Sequence, residues 1–218
     1  MADQIPQDQA PAFVAAIPTP TLGDGGSGTA VFSTPIAASP ARCLDIVLNP
    51  ATYPSWNKWV PRVVVTSDPS PTPAPSALPE SLAHMAAAAA GGQQQPQFLL
   101  PGTKFYFEVH MNPDSASSRR TDLEVTLLEE FERSGRKGLR VGWKTQGDPW
   151  YLKAERVQEF LEDGAGGCLY TNYETFFGPL TFAVKTFVGK QLMAGLALWM
   201  DGLKAAAESR SDVGAEEA

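Results

Sequence analysis

The sequence predicts an α+β fold, an antiparallel sheet of about six to seven strands covered by one long C-terminal helix. Three observations predict it. Between residues 102 and 178 successive segments alternate apolar and polar residues with period two and are separated by short turn signals, the pattern of hairpin-connected strands. From Leu180 to Glu208 there is no proline, and Val184, Val188, Leu192, Trp199 and Leu203 fall on one stripe at helical spacing. Upstream of the strand run only two short helical pieces can be placed, so the C-terminal helix alone is large enough to cover the sheet's apolar face.

The elements follow in order. "GTAVFSTPI" (28–36) is a strand. "SPARCLDIVLN" (39–49) is a helix with Ser39 as N-cap, Pro40 at the first helical position, and Cys43, Leu44 and Val47 on one face. "NPATYPSWNKWVPRVVV" (49–65) places Tyr53, Trp56 and Trp59 among three prolines, in backbone too broken for a long helix, and returns as a strand at "WVPRVVVTS". In "GTKFYFEVHM", Phe105, Phe107, Val109 and Met111 share a face; in "TDLEVTLLEEFE", Leu123, Val125, Leu127 and Phe131; in "KGLRVGWKTQ", Leu139, Val141 and Trp143. "KAERVQEFLED" and "CLYTNYETFFG" form a pair joined by "GAGG". Gly178-Pro179 marks the start of the last helix.

Composition bounds the function. The chain has 218 residues, 43% hydrophobic and 19% charged, enough for one domain with its own core. A net charge of -7 without a Lys/Arg cluster argues against nucleic acid and against an anionic membrane surface, both of which need a positive patch. No apolar run reaches the length of a membrane span, so stable insertion is not expected. The first residues lack a secretory or mitochondrial targeting pattern, and the expected location is the cytosol. Cys43 and Cys168 fit buried free thiols in a reducing compartment better than a disulfide framework.

Two low-complexity segments interrupt the pattern. Residues 1–28 read as a mobile arm; their "GDGGSG" fits G-x-G-x-x-G at Gly23, Gly25 and Gly28 but lacks a preceding strand and a following helix, so it reads as a linker. Residues 68–97, with prolines at 69, 71, 73 and 75 and an alanine run at 86–90, read as an exposed inserted loop, with a lid over a cavity as the alternative. Residues 209–218 read as a disordered tail, leaving 29–208 as the domain.

The sequence offers little catalytic chemistry. Two histidines and two scattered cysteines give no metal-ligand spacing, and neither a metal nor another cofactor is expected. The polar candidates near the apolar face are Tyr170, Tyr173, Glu174, Glu155, Arg156 and Gln191. Tyr173 and Arg156 are the candidates for a catalytic or anchoring role. Tyr173 is placed inward with Thr171, Thr175 and Phe177, and Glu174 outward as a structural ion pair with Arg156. Gly195 and Gly202 sit seven residues apart on the helix stripe, either leaving space for a ligand or allowing close backbone approach.

The element order over residues 28–208, the tryptophan-bearing turn "NPATYPSWNKWVPRV" and the junction "YETFFGPL" (173–180) resemble the helix-grip fold of the START/Bet v 1-like (SRPBCC) superfamily. The resemblance implies that the sheet curves around the helix and leaves a cavity between them. It implies a ligand site at Trp56, Trp59, Phe105, Phe107, Val109, Val125, Leu127, Val141, Trp143, Tyr173, Leu192, Gly195 and Trp199. The expected function is binding of a hydrophobic small molecule such as a lipid, sterol, quinone or polyketide, by a monomer. The alternatives are a polyketide cyclase or aromatase-like enzyme of secondary metabolism, and a co-chaperone-type interaction module.

Overall fold

The computed structural model describes residues 5–69, 78–90, 97–112 and 117–209. Its centre is one eight-stranded sheet, antiparallel throughout, built from β1 (Ala12–Val14), β2 (Gly28–Ile36), β3 (Arg62–Ser67), β4 (Lys104–Val109), β5 (Arg119–Arg133), β6 (Arg136–Thr145), β7 (Lys153–Glu162) and β8 (Cys168–Phe177). The order across the sheet is β1-β2-β8-β7-β6-β5-β4-β3, so β2 crosses to pair with β8 while β3–β8 form a meander. The prediction of an antiparallel sheet under a long C-terminal helix holds, with β1 as the added strand.

Between β2 and β3 lie α1 (Pro40–Leu48) and the short α2 (Tyr53–Trp56). Ser39 caps α1 by accepting from the Arg42 amide at 3.3 Å, and α1 buries Cys43, Leu44, Val47 and Leu48. Residues 78–90 hold a 3-10 turn at Glu80–Leu82 and α3 (Ala83–Ala90). The C-terminal helix opens at α4 (Thr181–Ala183), widens into a π-helical stretch at Val184–Val188 and runs on as α5 (Gly189–Glu208).

The junction into this helix explains the "YETFFGPL" signature. Gly178 has φ +96, and a Cβ there would lie 2.6 Å from the Tyr151 carbonyl oxygen. The chain turns there because only glycine fits that backbone at that distance. The Leu180 amide then donates to the Tyr151 carbonyl (3.0 Å), tying the helix start to the β6–β7 turn.

Side chains on the concave face of the sheet form the main core with α1, α2 and α5. A smaller cluster of Val31, Val157 and Tyr173 lies on the opposite face, covered by Ile5 and Ile17. Over residues 5–28 that cover corrects the expectation of a mobile arm; residues 1–4 lie outside the described residues. Residues 12–14 add a strand to β2, and the Glu155 carboxylate accepts from the Thr21 and Leu22 amides at 3.0 and 2.8 Å. The Thr175 hydroxyl donates to the Ile17 carbonyl at 2.7 Å. Proline and glycine mask the arm's periodicity, but a few apolar side chains and one buried carboxylate suffice to dock it.

The inserted segment 68–97 is corrected in the same way over residues 78–90. Leu82 and Met85 are fully buried in the main core, so this stretch is packed structure and not an exposed loop. Residues 70–77 and 91–96, and the tail beyond 209, lie outside the described residues. Cys43 and Cys168 are buried free thiols with sulfurs 3.8 Å apart. Their mutual hydrogen bond and burial hold the Cys168 thiol well above its ordinary value. Among the described residues no helix is long and apolar enough to cross a membrane.

Candidate functional site

A cavity of about 300 Å³ lies between the concave face of the sheet and the start of the C-terminal helix. Trp59, Phe107 and Trp143 line its inner wall, and Val184, Val188 and Leu192 close it from the helix side. The first two of these helix residues belong to the π-helical stretch, where one extra residue per turn shifts the following side chains around the axis. Arg119, Arg120 and Lys153 also contribute to the lining, so its walls are apolar with cationic groups to one side.

The aromatic stretch 53–59 forms the closed end. The Trp199 ring on α5 is the hub, with centroids of Trp56 at 5.3 Å, Tyr53 at 5.7 Å, Phe107 at 5.9 Å, Trp143 at 6.3 Å and Trp59 at 6.4 Å. Mostly edge-to-face contacts of this kind are each worth about 0.5–1.5 kcal/mol beyond the area they bury. Prolines and the Asn57 side chain, which accepts from the Trp59 and Val60 amides at 3.1 and 2.8 Å, fix the irregular backbone that presents these rings.

The glycines on α5 are part of this plug. A Cβ on Gly195 would lie 2.3 Å from the Trp59 ring, and one on Gly202 would lie 2.2 Å from the Trp56 carbonyl oxygen. Close approach is therefore the role of both, and the space left by Gly195 is filled by Trp59. The Trp59 indole N–H, pressed against this part of the helix, has no hydrogen-bond partner among the described residues.

An ion pair sits in the wall beside Trp59. Arg156 and Glu174 are direct cross-strand partners on β7 and β8. Arg156 donates to one carboxylate oxygen, Oε2, through Nη2 at 2.7 Å and Nε at 3.2 Å. Its guanidinium carbon is 5.3 Å from the Trp59 ring centroid and 5.2 Å from that of Trp199, so ring faces solvate the cation where water does not. Next along the same face Gln158 lies opposite Asn172 in the strand register, and the Tyr170 hydroxyl donates to Gln158 Oε1 while accepting from the Trp199 indole N–H at 3.0 Å. This polar rung is buried in the core behind the cavity.

Of the residues expected in the site, Trp59, Phe107, Val109, Trp143, Leu192 and Arg156 line the cavity. Trp56, Phe105, Val125, Val141 and Trp199 are buried in the core around it and are not part of its lining. Leu127 and Tyr173 are corrections. A β-bulge between Val125 and Leu127 breaks the alternation, so Leu128 enters the core and Leu127 pairs with Gly142 on the outer side. Tyr173 lies on the outer face with Val31 and Val157, where burial raises its phenol above the ordinary value. Glu174 is therefore the inward residue of that strand.

The sequence misses Glu174 because β8 carries large side chains on both faces, Tyr170 and Phe176 inward and Leu169, Tyr173 and Phe177 outward. The cross-strand pairing expected for Arg156 and Glu174 was the usable signal, since Arg156 lies in phase with Ala154, Gln158 and Phe160. Of the remaining polar candidates, Glu155 points outward to the arm and Gln191 is exposed. The lining residues Met111, Leu123, Ala154 and Phe176 belong to the same inward sets.

This arrangement defines a cavity-bearing helix-grip protein, and comparison with known structures agrees. A hypothetical protein from Helicobacter pylori superposes with a TM-score of 0.57 at 16% identity, covering 89% of this chain and 97% of that one. The major latex-like protein 151 of Panax ginseng superposes with a TM-score of 0.54 at 10% identity, covering 84% and 98%. The chain therefore shares the fold of these proteins, the helix-grip arrangement of an antiparallel sheet and a long C-terminal helix. In sequence, it is similar to oxopyrrolidines biosynthesis cluster protein O of Penicillium oxalicum, with 26% identity over 198 residues, covering 84% of this chain and 88% of that protein. No family model matches the chain.

Proposed function

We propose that the protein binds a small, largely apolar molecule in the cavity between the sheet and the start of the C-terminal helix. The observation that carries this is the cavity itself, about 300 Å³ with walls of Trp59, Phe107, Trp143, Val184, Val188 and Leu192. Such a volume is at the lower end of small-molecule sites, and apolar walls favour a ligand by removing its surface from water. Titration with N-phenyl-1-naphthylamine, a neutral apolar fluorophore, tests it. The expected result is saturable uptake at one equivalent, lost when Val188→Trp fills the cavity. No uptake by the folded wild type would overturn the proposal.

A second reading, an enzyme of secondary metabolism working on such a molecule, is favoured by the relative from a biosynthesis cluster and by a carboxylate in the cavity wall. Binding without turnover of any cluster intermediate would count against it. We also assign the protein to the cytosol, which the two free thiols held 3.8 Å apart support. Imaging of the tagged full chain in another compartment would contradict that assignment.

A further inference from the structure

The ion pair in the cavity wall is asymmetric. Glu174 Oε2 receives both hydrogen bonds from Arg156, while Oε1 accepts none from the described residues. The carboxylate is also the more accessible partner, with a side chain 17% exposed against 6% for Arg156. Arg156 Nη1 also has no partner among the described residues, but it is buried beside the Trp59 and Trp199 rings, so the unused valence of the more accessible partner is the acid's.

Resting on the proposed cavity reading, we infer that the site selects a neutral ligand whose apolar body carries a hydroxyl or N–H group, and that this group donates to Glu174 Oε1. Chemistry decides between ligand classes here. A donor reaching Oε1 forms a charge-assisted hydrogen bond in surroundings that compete poorly for it, worth about 1.5–3 kcal/mol. A ligand carboxylate at the same place would put a second negative charge beside Glu174, and the one Arg156 donor left without a partner, Nη1, is buried. An ether or hydrocarbon of the same shape would fill the walls and leave Oε1 unsatisfied. Of the cationic lining residues, Arg120 and Lys153 are paired, with Asp122 at 2.6 Å and Asp148 at 2.8 Å, and Arg119 is exposed, where water and salt screen its charge.

The test is calorimetric titration of the full chain at neutral pH with three probes of one skeleton: 2-naphthol, 2-methoxynaphthalene and 2-naphthoate. The inference predicts that 2-naphthol binds about tenfold or more tighter than 2-methoxynaphthalene, with 2-naphthoate the weakest. Removing Glu174 alone would strand the Arg156 charge, so the variant is the double substitution Arg156→Met with Glu174→Met, which removes both charges. In it the two neutral probes should bind within about threefold of each other. Equal binding of the neutral probes to the wild type, a preference that survives in the double variant, or tightest binding of 2-naphthoate would each overturn the inference and leave the cavity reading standing. Failure of all three probes to bind would overturn the cavity reading and this inference with it.

Discussion

Adjacent residues of β7, Glu155 and Arg156, project to opposite faces of the sheet, and their surroundings differ in kind. On the outer face the acids are saturated. Glu155 is fully buried and takes the Thr21 and Leu22 amides, with the Thr126 hydroxyl at 3.4 Å, and Glu159 takes Arg133 at 2.7 Å and Arg140 at 3.7 Å. On the inner face the pair of Arg156 with Glu174 is isolated among aromatic rings and leaves one carboxylate oxygen unused beside a cavity. The outer charges anchor the N-terminal arm and cross-link strands, whereas the inner pair has capacity left for another molecule. Buried charge alone does not separate structure from site; an unused valence on a residue that lines a cavity does.

Breaking the inner pair on one side is predicted to have the largest effect. Arg156→Met leaves Glu174 in the cavity wall without its cation, and the expected loss is about 3–5 kcal/mol of unfolding free energy in urea denaturation. The double variant with Glu174→Met should recover most of that loss. Equal stability of single and double variants would show that the pair is no more than a surface contact. On the outer face, Glu155→Gln weakens the charge-assisted bonds to the arm and should cost about 1.5–3 kcal/mol. Hydrogen exchange at the Thr21 and Leu22 amides should accelerate in that variant while the inner strands stay protected. Unchanged exchange there would mean that the carboxylate does not hold the arm.

Gly195→Ala sharpens the contrast from the helix side. Its methyl group would push the Trp59 ring, 2.3 Å away, towards the cavity it lines. The expected result is a loss of about 1–3 kcal/mol in stability together with weaker probe uptake. Uptake unaffected by a clear loss of stability would separate Trp59 from the binding wall. Tyr173→Phe should have the smallest effect. Its hydroxyl accepts and donates no hydrogen bond among the described residues, and the ring stays packed on Val31 and Val157. Stability within about 0.5 kcal/mol of wild type and unchanged probe binding are expected.

Much of the fold was legible because period-two and helical patterns survive in single elements. β4, β6 and the C-terminal helix each carry an apolar set at the right period, and turn residues separate the strands of the meander. The site was less legible for local reasons. A bulge at Val125/Leu127 shifts the phase inside one strand without changing its composition. β8 is large on both sides, so its sequence does not say which of Tyr173 and Glu174 enters the cavity. The docked arm and the stretch carrying Leu82 and Met85 hide a few anchoring side chains in proline- and alanine-rich sequence, and their burial depends on partners far along the chain.

The central claim is that the cavity holds a small molecule, and native mass spectrometry of gently purified full-length protein tests it most directly. The account predicts a native mass above the denatured mass by a discrete small-molecule increment, either as isolated or after incubation with excess 2-naphthol, and its loss in Val188→Trp. A native mass equal to the denatured mass under both conditions would contradict it.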